Sequence, residues 1–378
     1  MTLDLARGAT HAHRAVGALP VLAVAVLCAS YVAMGASNQW DFETYYYAGL
    51  AARSGADPYS LDDLSQLAGR QIELPYLYPP FTLAIFYPFT YLPPADAARL
   101  WLVLQSALVF LLIRIWSRQY APRVPVGWLI VVTLLGFNAA ALWGLRTGNV
   151  VLVEVALLWL GFSAYARGKL IPAALLISLA GAFKLLPLAF LSIIALGPDR
   201  TVRKVAAIGA GAAVLALLLL ATGDLTSRWA SALAAAHLWS TPAGEINPST
   251  PAVIGSILSI GGLAEPGSRA VQTAYAVVAV IVLTFSWRPL QMLVTTGSRH
   301  GVVALGSLVW LILSPRVMVY TFLLAVAPSL YTIWTWMSSE LKRRVACVVL
   351  VSHGFIRFLP GPPPAFLSIA PLILTAAI

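Results

Sequence analysis

The sequence predicts an all-α polytopic membrane protein with about twelve transmembrane helices. Composition is the first reason. Of 378 residues, 60% are hydrophobic and 10% charged, with mean hydropathy +0.84. Soluble domains carry about 25% charged residues, so the solvent for this surface has to be the bilayer. The second reason is that apolar runs recur along the whole chain, separated by short polar turns. The third is that charges of opposite sign collect in alternate turns.

The runs fall near residues 15–36, 95–117, 125–145, 148–166, 170–183, 185–197, 202–222, 268–286, 301–315, 317–337, 343–359 and 364–378. The first follows Arg7 and Arg14 and resembles a signal peptide. Its length, the lack of a clear small-residue cleavage site and the spans that follow make it a retained signal anchor. The two runs flanking Lys184 are shorter than the ~20 residues of a perpendicular span. Short helices that meet at a polar residue are expected where a helix breaks beside a water-filled cavity.

Two polar segments are long, 37–94 and 223–267. Within the first, Phe81–Leu92 lies between prolines and is rich in Phe, Tyr and Leu. It is too short to span and reads as a shallow interfacial helix. In the second, Ala252–Ile260 reads the same way, beside Trp229 and Trp239. No internal repeat and no separate soluble domain is evident, so residues 1–378 form one integral membrane domain.

Lys and Arg set the orientation. With the N-terminus inside, 15 of the 24 fall in cytoplasmic segments, Arg118, Arg123, Arg203, Lys204 and Arg343 among them. Ten of the 14 acids fall outside, including Asp41, Glu43, Asp57 and Glu73. Both termini are then cytoplasmic, and 37–94 and 223–267 are extracytoplasmic loops. The net charge of +10 is mostly topogenic, which argues against a nucleic-acid partner and for membrane lipids. Cys28 and Cys347 both lie in apolar runs and make no disulfide framework.

The chemistry-bearing residues cluster on the outer side. Trp40-Asp41-Phe42-Glu43-Thr44-Tyr45 places two carboxylates among aromatics directly after the first span. A carboxylate with apolar walls can act as a general base, and Tyr rings can stack on sugars. Two acids facing water at a loop start would look the same. Lys184, in Ala-Phe-Lys-Leu-Leu-Pro, is a costly intramembrane cation suited to a phosphate, or else a partner for Glu154. Arg316, in Ser-Pro-Arg, suits bidentate phosphate binding or a lipid headgroup. Asn149 follows Arg146 and Gly148 in a polar turn. Asn247, in Asn-Pro-Ser, suits either an acceptor hydroxyl or a turn. His237 is the only outer-side histidine. No His/Cys cluster has zinc spacing, and no glycine loop precedes a Lys-Ser/Thr pair.

These pieces, in this order, resemble the GT-C glycosyltransferases that use polyprenyl-phosphate sugars. More closely they resemble glycosyltransferase family 87, which includes the mannosyltransferases of phosphatidylinositol mannoside synthesis. The resemblance rests on Asp41-Phe42 with Tyr45 and Ala48-Gly49; Gly55-Ala56-Asp57-Pro58-Tyr59; Tyr78-Pro79-Pro80-Phe81 with Trp101; Gly148-Asn149; Ala182-Phe183-Lys184 with Pro187; and Ser314-Pro315-Arg316 with Tyr320. Many members have Gly-Gln at 148–149, and the mannosyltransferase branch has His where this chain has Tyr320.

The resemblance implies a GT-C-type fold with short extracytoplasmic interfacial helices. It implies transfer of a hexose, mannose being one candidate, from a polyprenyl-phosphate donor to a lipid or glycan acceptor, with inversion. Asp41 would be the general base. Lys184 and Arg316 would hold the donor phosphate. Glu43, Tyr45, Tyr78, Asn149, Asn247 and Tyr320 would bind substrate. No cofactor is implied, and metal dependence stays open. The location implied is the bacterial inner (cytoplasmic) membrane, with the site extracytoplasmic. A lipid or sugar transporter is the rival reading. It would need polar groups through both halves of the spans, and the inner half has few.

Overall fold

The computed structural model describes residues 39–236 and 247–352, with a few isolated positions outside them. The expected spans at 15–36 and 364–378, the end of 343–359, and His237 lie outside the described residues. The described chain is all-helical: α1 Trp40–Ser54, α2 Leu61–Ala68, α3 Leu83–Phe86, α4 Pro94–Gln119, α5 Val126–Thr147, α6 Val151–Ala166, α7 Leu170–Lys184, α8 Leu191–Leu196, α9 Thr201–Leu220, α10 Asp224–Ala235, α11 Thr250–Ile260, α12 Arg269–Thr295, α13 Arg299–Leu313, α14 Val326–Trp336 and α15 Glu340–Ser352.

Among the described residues five helical segments are long and apolar enough to cross a membrane: α4, α5, α9, α12 and the continuous segment Val319–Trp336. Five more are apolar but of 10–17 residues, among them α6, α7 and α13. Among the described residues, several of the expected runs therefore form helices shorter than a full span. The short helices end where the sequence forbids continuation. α7 stops at Lys184 because Leu185 turns to φ 57° and Pro187 follows without an N–H. α13 stops at Leu313 because Ser314, extended at ψ 124°, precedes Pro315. α5 is one run in the sequence but breaks inside, with Phe137, Asn138 and Ala139 all left-handed and buried.

α9 and α12 leave long apolar side chains uncovered, such as Val202, Leu220 and Phe285. That is the surface a lipid tail covers. α4 to α7, α13, Val319–Trp336 and α15 instead share one apolar core. Helices α6, α7 and α9 pack side by side within the bundle. At the end of the bundle away from the Asp41 site, Asp199 pairs with Arg299 at 3.0 Å and with Arg203 at 3.9 Å.

A second, aromatic core sits over the other end. It joins Phe42, Tyr45, Tyr46, Tyr76, Phe86 and Phe89 to Trp101, Val150 and Phe183 of the bundle. Phe42 stacks on Trp101 with ring centroids 5.5 Å apart. The expected shallow helix Phe81–Leu92 is three consecutive short turns, Pro80–Thr82, α3 and Tyr87–Tyr91. Pro88 and the extended Leu92 keep them short. The expected Ala252–Ile260 helix is α11. Helices α1, α2 and α10 add order to segments whose sequence reads as loop.

Candidate functional site

The site starts at α1. Its first turn carries Asp41 and Glu43, where the free N–H groups of a helix favour carboxylates. Gly55, left-handed at φ 81°, ends the helix. At 3.6 residues per turn, 41, 44 and 45 share one face, while 39, 43 and 46 share the opposite one. Asp41, Thr44 and Tyr45 line a cavity of about 430 Å³ that opens between the aromatic cap and the bundle.

The turn between α5 and α6 forms the cavity floor. Gly148 at φ 71° reverses the chain, and a Cβ there would come within 2.7 Å of the Phe42 Cβ and 2.8 Å of the Gln39 Oε1. Trp101 and Gln105 of α4 donate to the carbonyls of Gly148 (2.8 Å) and Asn149 (2.6 Å). This turn therefore carries α1 directly on its back. The Asn149 Oδ1 accepts from the Val151 N–H at 2.9 Å, an Asx bond that starts α6. Its Nδ2 donates to the Asp41 Oδ2 at 3.0 Å and to the Tyr320 hydroxyl at 2.9 Å. Asn149 thus aims one carboxylate oxygen of Asp41 and ties three segments together.

Cations enter at two helix breaks. The Lys184 Nζ lies 3.6 Å from the Glu154 Oε2, 3.4 Å from the Asn149 Oδ1 and 4.9 Å from the centre of the Tyr320 ring. The Glu154 side chain is 2% exposed and that of Lys184 24%, so the pair is buried but the ammonium meets the cavity. Trp310 donates to the Leu186 carbonyl at 3.2 Å, satisfying one group freed by the break after α7. Arg316 comes from the turn after α13, where the Ser314 hydroxyl donates to the Arg316 carbonyl at 3.0 Å. Both cations line the same cavity as Asp41.

Burial pushes the Asp41 carboxyl above its ordinary value of 3.8. Hydrogen bonds from Asn149 and Thr147 and the charge of Lys184 oppose the rise without cancelling it. A raised carboxylate is a stronger base than an ordinary one. The Tyr45 and Tyr78 hydroxyls bond each other at 2.9 Å. Burial pushes both well clear of neutral pH, so they stay protonated donors and acceptors. The cavity therefore offers one basic carboxylate, two cations, phenols and flat aromatic walls.

Seven of the nine residues picked from the sequence line this cavity: Asp41, Tyr45, Tyr78, Asn149, Lys184, Arg316 and Tyr320. Two do not. Glu43 is on the far face of α1, paired with Arg70, because two residues along a helix turn a side chain through about 200°. Asn247 is buried away from the lining. Sequence reading also missed lining residues. Trp229 reaches the cavity from α10 and donates to the Leu77 carbonyl at 3.0 Å, and Trp310 reaches it from α13. A tryptophan in an apolar run gives no sign of which face it serves. Among the described residues no three His, Cys, Asp or Glu side chains converge as a metal site.

A model of glycosyltransferase family 87 matches residues 76–315. The match takes in Tyr78, Asn149 and Lys184, and ends just before Arg316 and Tyr320. No curated protein and no solved structure matches the chain. Covering more than half of the sequence, the family match shows that this chain belongs to glycosyltransferase family 87.

Proposed function

We propose that the protein transfers a hexose from a polyprenyl-phosphate donor to a lipid or glycan acceptor at the extracytoplasmic face of a bacterial inner membrane. The observation that carries this reading is one cavity in which the Asp41 carboxylate faces two cations, Lys184 and Arg316. Base and leaving-group ligands are the two things a single displacement needs. Asp41 takes the proton of the acceptor hydroxyl as its oxygen attacks the anomeric carbon. The bond from that carbon to the phosphate oxygen breaks, and the phosphate leaves with the electron pair, held by Lys184 and Arg316. One displacement inverts the anomeric centre. Glu154 also lines the cavity, but Lys184 engages it, which leaves Asp41 as the base.

The polyprenyl part draws support from a second, apolar cavity of about 490 Å³ between the 186–196 segment, α12 and α13. It shares Leu186 and Trp310 with the catalytic cavity, so a lipid tail can run from one into the other. The extracytoplasmic assignment rests on charge distribution, and the span number of about twelve on the apolar runs of the sequence. The GT-C relationship rests on the family. Mannose is one candidate hexose; the walls of the cavity select no single sugar.

The test is incubation of purified protein with a panel of radiolabelled polyprenyl-phosphate sugars, reading hydrolysis and transfer separately. At least one donor is turned over by wild type. Asp41→Asn is expected to lose transfer by about 10²–10⁴-fold with donor binding retained. Near-normal turnover in that variant would remove Asp41 as the base. NMR of the product glycoside is expected to show the anomeric configuration opposite to the donor's.

A further inference from the structure

α1 has a cavity on each side. Opposite the Asp41 face, Gln39, Phe42, Glu43, Tyr46 and Tyr47 turn into a separate space of about 500 Å³. Arg70 from the end of α2 closes it above, and Pro94, Ala95, Ala98 and Arg99 from the start of α4 close it below. The volume falls within the range of about 300–1,000 Å³ for small-molecule sites. Three small side chains, Ala33, Ala95 and Ala98, leave the room, and polar groups rim it.

The chemistry of the rim selects a ligand class. Glu43 pairs with Arg70, and Arg99 pairs with Asp96 at 2.8 Å. Each charge is already matched, so an ionic ligand would have to break an ion pair to bind. A neutral polyol need not. Its hydroxyls can donate to the carboxylate and accept from the guanidinium groups while the pairs persist. Tyr46 and Tyr47 add aromatic faces, with ring centroids 5.2 Å apart and planes at 85°. The Tyr46 hydroxyl is spent on the Leu92 carbonyl at 2.9 Å, so this ring contributes its apolar surface. A carboxylate, guanidinium groups and tyrosine rings around one space are a lining for a sugar ring.

We infer that this second cavity is a saccharide-binding site, separate from the site of transfer, which takes a neutral hexose or inositol unit at the bilayer edge of α4. It cannot be where the transferred bond forms, because the body of α1 stands between it and Asp41. Its ligand comes either from a free saccharide or from the headgroup of a glycolipid whose tail lies along α4. The inference does not depend on the identity of the donor.

Binding is read on purified protein in phosphatidylcholine nanodiscs. Methyl hexosides and myo-inositol are titrated by saturation-transfer-difference NMR. In parallel, nanodiscs with added phosphatidylinositol are read by native mass spectrometry. Wild type and Asp41→Asn are expected to bind alike, and the separation from the transfer site comes from Arg70 and Ala95, which line this cavity and not the one at Asp41. Arg70→Ala is expected to weaken binding at least fivefold. Ala95→Trp is expected to do the same by filling the space from an exposed position that makes no demand on folding. Competition by the free sugar assigns a free saccharide, and retention of only the inositol lipid assigns a headgroup. The inference is overturned if wild type binds none of these probes, or if Ala95→Trp and Arg70→Ala bind as wild type does.

Discussion

At the scale of single residues, Asn149 decides what Asp41 can do. Its amide is fully used: the oxygen accepts from the Val151 N–H that starts α6 and from Lys184, and two N–H bonds go to Asp41 and Tyr320. Contact with substrate is a lesser role for a group so committed. Asn149→Ser keeps an oxygen able to cap α6 and removes the N–H that bonds Asp41. That bond favours the charged carboxylate, so its loss raises a group that burial has already raised. The base form is present above that pKa. The acid limb of kcat/KM is therefore expected to lie above the ordinary Asp value in wild type, and to move to still higher pH in Asn149→Ser. The measurement is a pH profile of transfer, with the largest deficit of the variant on the acid side. A uniform loss at every pH would make Asn149 merely structural. Lys184→Met and Arg316→Met should each weaken donor binding by tenfold or more, since charge-assisted hydrogen bonds contribute about 1.5–3 kcal/mol.

At the scale of elements, the site is built from helix ends rather than helix middles. Asp41 is on a first turn, Asn149 precedes one, Lys184 ends one and Arg316 follows one. Gly148 is where these ends are brought into register. Gly148→Ala asks a residue with a Cβ to hold φ 71° and also drives that Cβ into Phe42 and Gln39 of the α1 end. Strain at such a position is of order 1–3 kcal/mol. The expected outcome is a lower thermal midpoint in detergent together with a loss of transfer. Gly55→Ala has a similar φ of 81° but nothing within 4 Å, so it should lower the midpoint and leave transfer close to wild type. Equal activity losses in the two variants would show that the clash at 148 does not reach Asp41.

The legibility of each element follows from its surroundings. The apolar helices were readable because an apolar run is its own signal, but the run length overstated how many are long enough to span, five among the described residues. The breaks at Lys184 and Arg316 were readable too, where a charge meets a proline. α1 was not readable, because both of its faces are covered and both carry polar groups, which erases the amphipathic period. For the same reason Glu43 looked like a neighbour of Asp41. α10 was not readable because its anchors are distant, Arg228 on Asp57 at 3.3 Å and Trp229 on Leu77.

At the scale of the whole molecule, the question is which way the bundle stands. The Asp41 cavity and the aromatic core lie at one end, and the Asp199–Arg299 pair lies at the other. Helices α6 and α7 connect the two, with Asn149 and Lys184 at one end and Arg167 and Lys169 at the other. The basic end of such helices stays in the cytoplasm. In the proposed orientation the Asp41 cavity then faces outward, on the side to which the charge pattern assigns Asp57, Asp62, Asp63 and Glu73. Single cysteines placed at Glu73 and Arg123, both exposed, test this on intact cells carrying Cys28→Ser and Cys347→Ser. A membrane-impermeant maleimide is expected to label the cysteine at 73 directly, and the one at 123 only after the membrane is opened. The reverse order would turn the bundle over. It would place Asp41 and both cations in the cytoplasm, beside soluble nucleotide sugars, and the donor class would have to change with it.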